Sequence, residues 1–143
     1  MANGSDGSWH IKIMQPRLPW DAHPLLPADV GNELCDVLLS RENLLEDVHY
    51  QKVAPNRFKV ELNSENYARN FQPLLARVIQ QWQARLIESM ATANSRLGRK
   101  EYILAGGLQI EVLPAFDLKP HQARIYSQIR PDQPAQQAGK REA

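Results

Sequence analysis

Cysteine is nearly missing from this sequence: Cys35 is the single one among 143 residues. That excludes an internal disulfide and a zinc cage built from cysteines. Long apolar runs are missing as well, since nothing approaches the ~18–20 residues of a membrane-spanning helix. The N-terminus lacks the charged-then-apolar pattern of a secretory leader, so a cytoplasmic chain without membrane insertion is expected. Charge of one sign is also scarce. Seventeen Lys+Arg against sixteen Asp+Glu leave a formal net charge of +1, whereas a dedicated nucleic-acid binder usually carries a large basic excess. GxSxG, Walker and GxGxxG patterns are absent, and Gly106-Gly107 leads into a strand pattern, not a helix whose N-terminus could hold phosphate. The four histidines, His10, His23, His49 and His121, never fall at i,i+3 or i,i+4, so no metal set or cofactor is expected. Carboxylates at Glu46-Asp47 and at Glu61 and Glu111 have no histidine beside them in a catalytic pattern. The expectation is a non-catalytic domain.

What is present is regular patterning. Hydrophobic residues make up 43% and charged ones 23%, the mix of one globular domain. Residues 1–27 read as an extended N-terminal arm with four prolines between Pro16 and Pro27. Within it Trp9, Ile11 and Ile13 alternate with polar neighbours and also suit a short edge strand. Pro27 opens a first helix, with Val30, Leu34, Val37 and Leu38 as its buried stripe and Cys35 beside them as an inert thiol. The pattern predicts strands over 48–53 and 58–62 around a turn at Ala54-Pro55-Asn56-Arg57. Asn63 or Ser64 caps a long apolar stripe from Tyr67 to Met90. Pro73 predicts a break near Phe71, and Gly98 a left-handed end. Leu108–Leu113 and Ala123–Ile129 alternate as strands, and 130–143 reads as a linker or disordered tail. The expected fold is α+β and two-layered, in the order α-β-β-α-α-β-β, with helices on one face of a mixed or antiparallel twisted sheet.

Charge is segregated along the chain. Residues 29–47 hold six acids against Arg41, and residues 69–100 hold Arg69, Arg77, Arg85, Arg96, Arg99 and Lys100 against Glu88. The bland expectation is that the acidic and basic helices lie side by side and complement each other. The sheet face turned from the helices should show His49, Gln51, Arg57, Lys59, Glu61, Gln109, Glu111, Arg124 and Tyr126. It is either plain solvated sheet or a docking surface anchored by Arg57, Lys59, Arg124 and Tyr126. Thr92 is the single threonine. It is a candidate phosphorylation site beside Arg96, Arg99 and Lys100, or simply a poor helix former at a fraying end.

The stretch VHYQKVAPNRFKVELNSENYA carries Val53, Pro55, Asn56, Arg57, Phe58, Val60, Leu62, Ser64, Glu65 and Tyr67 at its marked positions. With these residues it resembles the N-terminal domain, of unknown function, of bacterial FHA-domain (FhaA-type) signalling proteins. Tyr102, Ile103, Gly106 and Leu108–Leu113, then Asp117-Leu118 and Arg124, resemble later segments, so the likeness spans about 28–129. It implies a regulatory or interaction domain in Ser/Thr-kinase-linked signalling, with an FHA module, a kinase or another protein as partner and no catalytic residues. Phosphothreonine binding belongs to the FHA module and is not carried to these residues. A KH-like nucleic-acid-binding domain is the alternative for such an element order, but no GxxG loop stands between the helices to clamp a backbone.

Overall fold

The structure, a computed structural model, describes residues 9–16, 23–99 and 101–131. Trp20, Lys100 and most of the expected tail lie outside the described residues. Elements follow in the order β1 (His10–Met14), α1 (Pro27–Leu38), β2 (Leu45–Glu46), β3 (Lys52–Ala54), β4 (Arg57–Asn63), α2 (Ser64–Asn66), α3 (Leu75–Leu97), β5 (Tyr102–Leu104), β6 (Gln109–Ala115) and β7 (Ala123–Gln128). The α+β class holds. The order differs from the expected one by three further strands, β1, β2 and β5, and the strands form two mixed sheets instead of one.

The larger sheet runs β1-β7-β4-β6. Its β1/β7 and β7/β4 pairs are antiparallel and its β4/β6 pair is parallel. Strict alternation drives β4: Phe58, Val60 and Leu62 are buried, while Arg57, Lys59 and Glu61 turn outward. The smaller sheet runs β2-β3-β5, with β3 and β5 parallel. Residues 52–63 and 102–115 therefore run alongside each other through both sheets.

Two strand expectations are corrected. Residues 48–51 are not strand, because Asp47 Oδ1 accepts the backbone N–H groups of His49 and Gln51 at 2.9 Å each. This Asx turn bends the chain and leaves Tyr50 at φ 62°. Nor do β3 and β4 form a hairpin around Pro55-Asn56. They pass into different sheets because Asn56 spends its backbone groups elsewhere: its N–H donates to Gln128 O at 3.1 Å, and its carbonyl accepts from Gln109 N at 2.9 Å.

The helices behave as their residues dictate. The Leu26 N–H donates to Asp29 Oδ2 at 2.9 Å at the start of α1, where an acid also suits the dipole. Between β4 and α3 the chain makes α2, a π-turn over Tyr67–Phe71 and a 3₁₀ turn over Gln72–Leu74. Pro73 causes this, since it supplies no N–H to a regular helix and its ring crowds the preceding turn. Gly98 ends α3 at φ 71°, the left-handed conformation expected of it. Helices α1 and α3 cover the inner face of the larger sheet. Val30, Leu34 and Leu38 of α1 and Val78, Trp82 and Leu86 of α3 share one core with Phe58, Val60, Leu62, Val112 and Ile125. Tyr67 and Ile110 pack against that core only partly buried. Leu25 joins the core from the proline-rich lead-in.

Candidate functional site

Among the described residues no helix lies on the outer face of the four-stranded sheet. The pairing register sets what it shows: Lys59 lies opposite Tyr126 and Glu111, Glu61 opposite Arg124, and Arg57 opposite Gln109. Strand β1 adds Ile11 opposite Tyr126 and Ile13 opposite Arg124. The expected face thus exists, with one correction: His49 and Gln51 belong to the Asp47 turn, away from these strands.

The four candidate residues share that face but do different things. Arg124 makes three bonds within the face. Its Nε donates to Glu61 Oε1 at 2.7 Å, and Nη1 and Nη2 reach the two Asp117 oxygens at 3.0 and 3.1 Å. These bidentate and single bonds with Asp117 and Glu61 raise the guanidinium pKa further, and the same fork holds the Asp117 carboxyl below its usual range. The Tyr126 hydroxyl donates to Glu61 Oε1 at 2.9 Å. Burial first, and that bond second, push its pKa up. Arg124 and Tyr126 therefore tie β7 to Glu61 of β4, and Arg124 ties it also to Asp117.

Lys59 and Arg57 sit among aromatic rings. The Lys59 ammonium lies 4.4 Å from the Tyr126 ring centroid and 5.3 Å from that of Trp9. The Arg57 guanidinium carbon lies 6.0 Å from the Trp9 centroid. Trp9 meets Tyr126 edge-on, 6.0 Å apart and at 85°, the arrangement that ring quadrupoles prefer. Beside this cluster Ile11 is 58% and Ile13 49% exposed. Trp9, Ile11 and Ile13 complete the site, and the signal for them was the period of two in WHIKI. Their neighbour across the sheet comes more than a hundred residues later in the chain, so the juxtaposition was not readable.

Thr92 lies elsewhere, exposed on α3 beside the groove with α1. Arg85 and Arg96 share that groove. Arg99 is not free to meet a phosphate there, because it pairs with Glu101 at 2.7 Å. Cys35 is half-buried, and burial pushes its thiol pKa up, which disfavours the nucleophilic thiolate. Among the described residues no cluster of three His, Cys, Asp or Glu side chains could hold a metal ion, and no helix is long and apolar enough to cross a membrane. No family model, curated protein or solved structure matches the chain.

Proposed function

We propose that the chain is a non-catalytic interaction domain that docks a protein partner on the outer face of its four-stranded sheet. One observation carries this reading. The helices cover the inner face, while the outer face sets two half-exposed isoleucines, Ile11 and Ile13, beside Trp9, Arg57 and Lys59. Clustered exposed apolar side chains next to aromatics and arginine are the make-up of an interface core and its hot spots. Glu61, Glu111 and Asp117 share or border the face and disfavour a polyanion, which weighs against the KH-like alternative. The resemblance to FhaA-type proteins supplies the finer form of the proposal: a cytoplasmic regulatory domain in a bacterial Ser/Thr-kinase-linked signalling protein, its partner an FHA module or the kinase.

Calorimetric titration with purified FHA modules and Ser/Thr kinases of the host tests it. Binding that is lost in Ile11→Asp/Arg57→Ala, with an unchanged thermal transition, supports the reading. Binding of none of them, or binding indifferent to that variant, overturns it. Labelled RNA bound with a steep salt dependence would move the assignment to the nucleic-acid alternative.

A further inference from the structure

The charge complement expected between α1 and α3 does not form. Among the described residues no ion pair joins the two helices. The acids of α1 and of the turn after it act on β1 instead. Glu33 pairs with Lys12. That bond foremost, then the fields of Glu33, Asp36 and Glu42, raise the Lys12 pKa against the burial that lowers it. Strand β1 is also an edge of the four-stranded sheet, and neighbouring bonds fix which of its groups are free. Gln128 O accepts from Asn56 N, so the backbone of Gln128, Tyr126 and Arg124 turns to β4 and that of Ser127, Ile125 and Ala123 to β1. The residues opposite these last three, His10, Lys12 and Met14, therefore bond to β7. The N–H and C=O groups of Ile11 and Ile13 point off the edge, and no other backbone bond among the described residues takes them up.

The opposite edge, β6, is blunted. There Gln109 N donates to Asn56 O, so alternation turns Pro114 to the free side, where it offers no N–H. Strand β1 has no such guard. It pairs with β7 residue for residue without a bulge, holds no proline, and spends its one lysine inward on Glu33. On that inward side a pocket of about 100 Å³ is lined by His10, Lys12, Ser40 and Glu42.

We propose that the partner adds an extended strand to the free edge of β1, apolar at the positions opposite Ile11 and Ile13 and basic at the alternate, inward positions. This rests on the docking reading above and gives the partner its chemistry. Unpaired donors and acceptors at a two-residue spacing fit another strand, whose side chains then fall alternately on the two sides of the sheet. On the outer side they extend the apolar edge of Ile11 and Ile13. On the inner side they meet exposed Asp36 and Glu42, which make no ion pair among the described residues. Lys12 is one cation with three acids acting on it, so a lysine or arginine is drawn there and an acid is repelled. A second copy paired edge to edge would bring its own Asp36 and Glu42 to the same side of the continuous sheet and set like charges together, so β1 of a second copy is not the occupant.

The whole chain with two short blocked peptides tests this, one alternating valine with lysine and one alternating valine with glutamate. With the lysine peptide, amide exchange at Ile11 and Ile13 should slow, because those N–H groups gain acceptors, while exchange in β6 stays as it was. The glutamate peptide should protect neither amide. Asp36→Lys/Glu42→Lys, at two exposed positions, should keep the wild-type thermal transition and reverse the preference. The lysine peptide with every backbone nitrogen methylated keeps its charge, cannot pair as a strand, and should protect neither amide. A lysine peptide that leaves both amides exchanging as before, equal protection by the two charged forms, or protection that survives methylation would each overturn the proposal. A partner module that needs Ile11 for binding yet leaves the Ile11 and Ile13 amides unprotected would also overturn it, while keeping the outer-face reading.

Discussion

Asparagine carries much of the tertiary order of this chain. Asn56 Nδ2 donates to Gly107 O and Arg130 O at 3.1 and 2.8 Å, and its Oδ1 accepts from Arg130 N at 2.7 Å. Asn66 Nδ2 reaches Leu25 O and Pro120 O, and Asn94 Oδ1 accepts from the N–H groups of Glu101 and Tyr102. An amide side chain can donate and accept at once, so it replaces missing ladder partners where segments meet irregularly. Asn56→Asp keeps the shape and removes both donors, setting a carboxylate against two carbonyl oxygens. We expect a loss of roughly 1–3 kcal/mol for each group left unpaired, read as a lowered midpoint in urea unfolding. In the sequence Asn56 could be read as a turn residue, which suits its type, but its long-range partners leave no periodic trace. Glu101 gives a pH prediction at the same scale. Lys52, at 2.9 Å, and Arg99 bond to its carboxylate and lower its pKa. Its folded pKa then lies below its unfolded one, so the unfolded chain binds the proton first and stability falls as pH drops through the carboxylate range. Melting temperature should decline there, and Glu101→Gln should flatten that slope.

At the scale of elements, the pieces with strong periodicity were legible. Phe58, Val60 and Leu62 gave β4 its phase, the steps of three and four from Val78 to Met90 gave α3, and Pro73 and Gly98 marked the break and the stop. The shortest elements were not: β2 and β5 are too short to show a period, and of β3 only Lys52 and Val53 fell within the expected strand, since its parallel partner β5 lies far along the chain. The packing of α1 on α3 turns on a residue with no pattern at all. A Cβ on Gly31 would stand 3.0 Å from Trp82 Cδ1 and 3.1 Å from its Nε1. The indole has no room to yield, since its N–H donates to Pro27 O at 2.9 Å and the ring is buried. Gly31→Val should cost about 1–3 kcal/mol through overpacking. In a Trp82→Phe background that cost should shrink, and a double-mutant cycle in guanidinium chloride measures the coupling.

At the scale of the whole molecule, β1 ties the outer face to the helix layer. Its backbone pairs with β7, and Ile11 and Ile13 point outward with the Trp9 cluster. Lys12, between them, points the other way and neutralises the buried Oε2 of Glu33 on α1, an oxygen that no hydrogen bond otherwise satisfies. Removing the cation strands that carboxylate, whereas removing both charges leaves only apolar surface. Lys12→Met should therefore loosen β1 by roughly 1 kcal/mol, a modest figure because Lys12 is half in solvent. Amide exchange in β1 should quicken while that of β4 does not. Lys12→Met/Glu33→Met should restore the protection. The consequence reaches the far side of the sheet. A docking face that depends on Ile11 and Ile13 loses its edge whenever β1 detaches, so Lys12→Met should weaken partner binding without touching any residue on that face. The double variant should recover the affinity together with the exchange protection. An affinity that ignores both variants would place the partner on β4 and β7 alone.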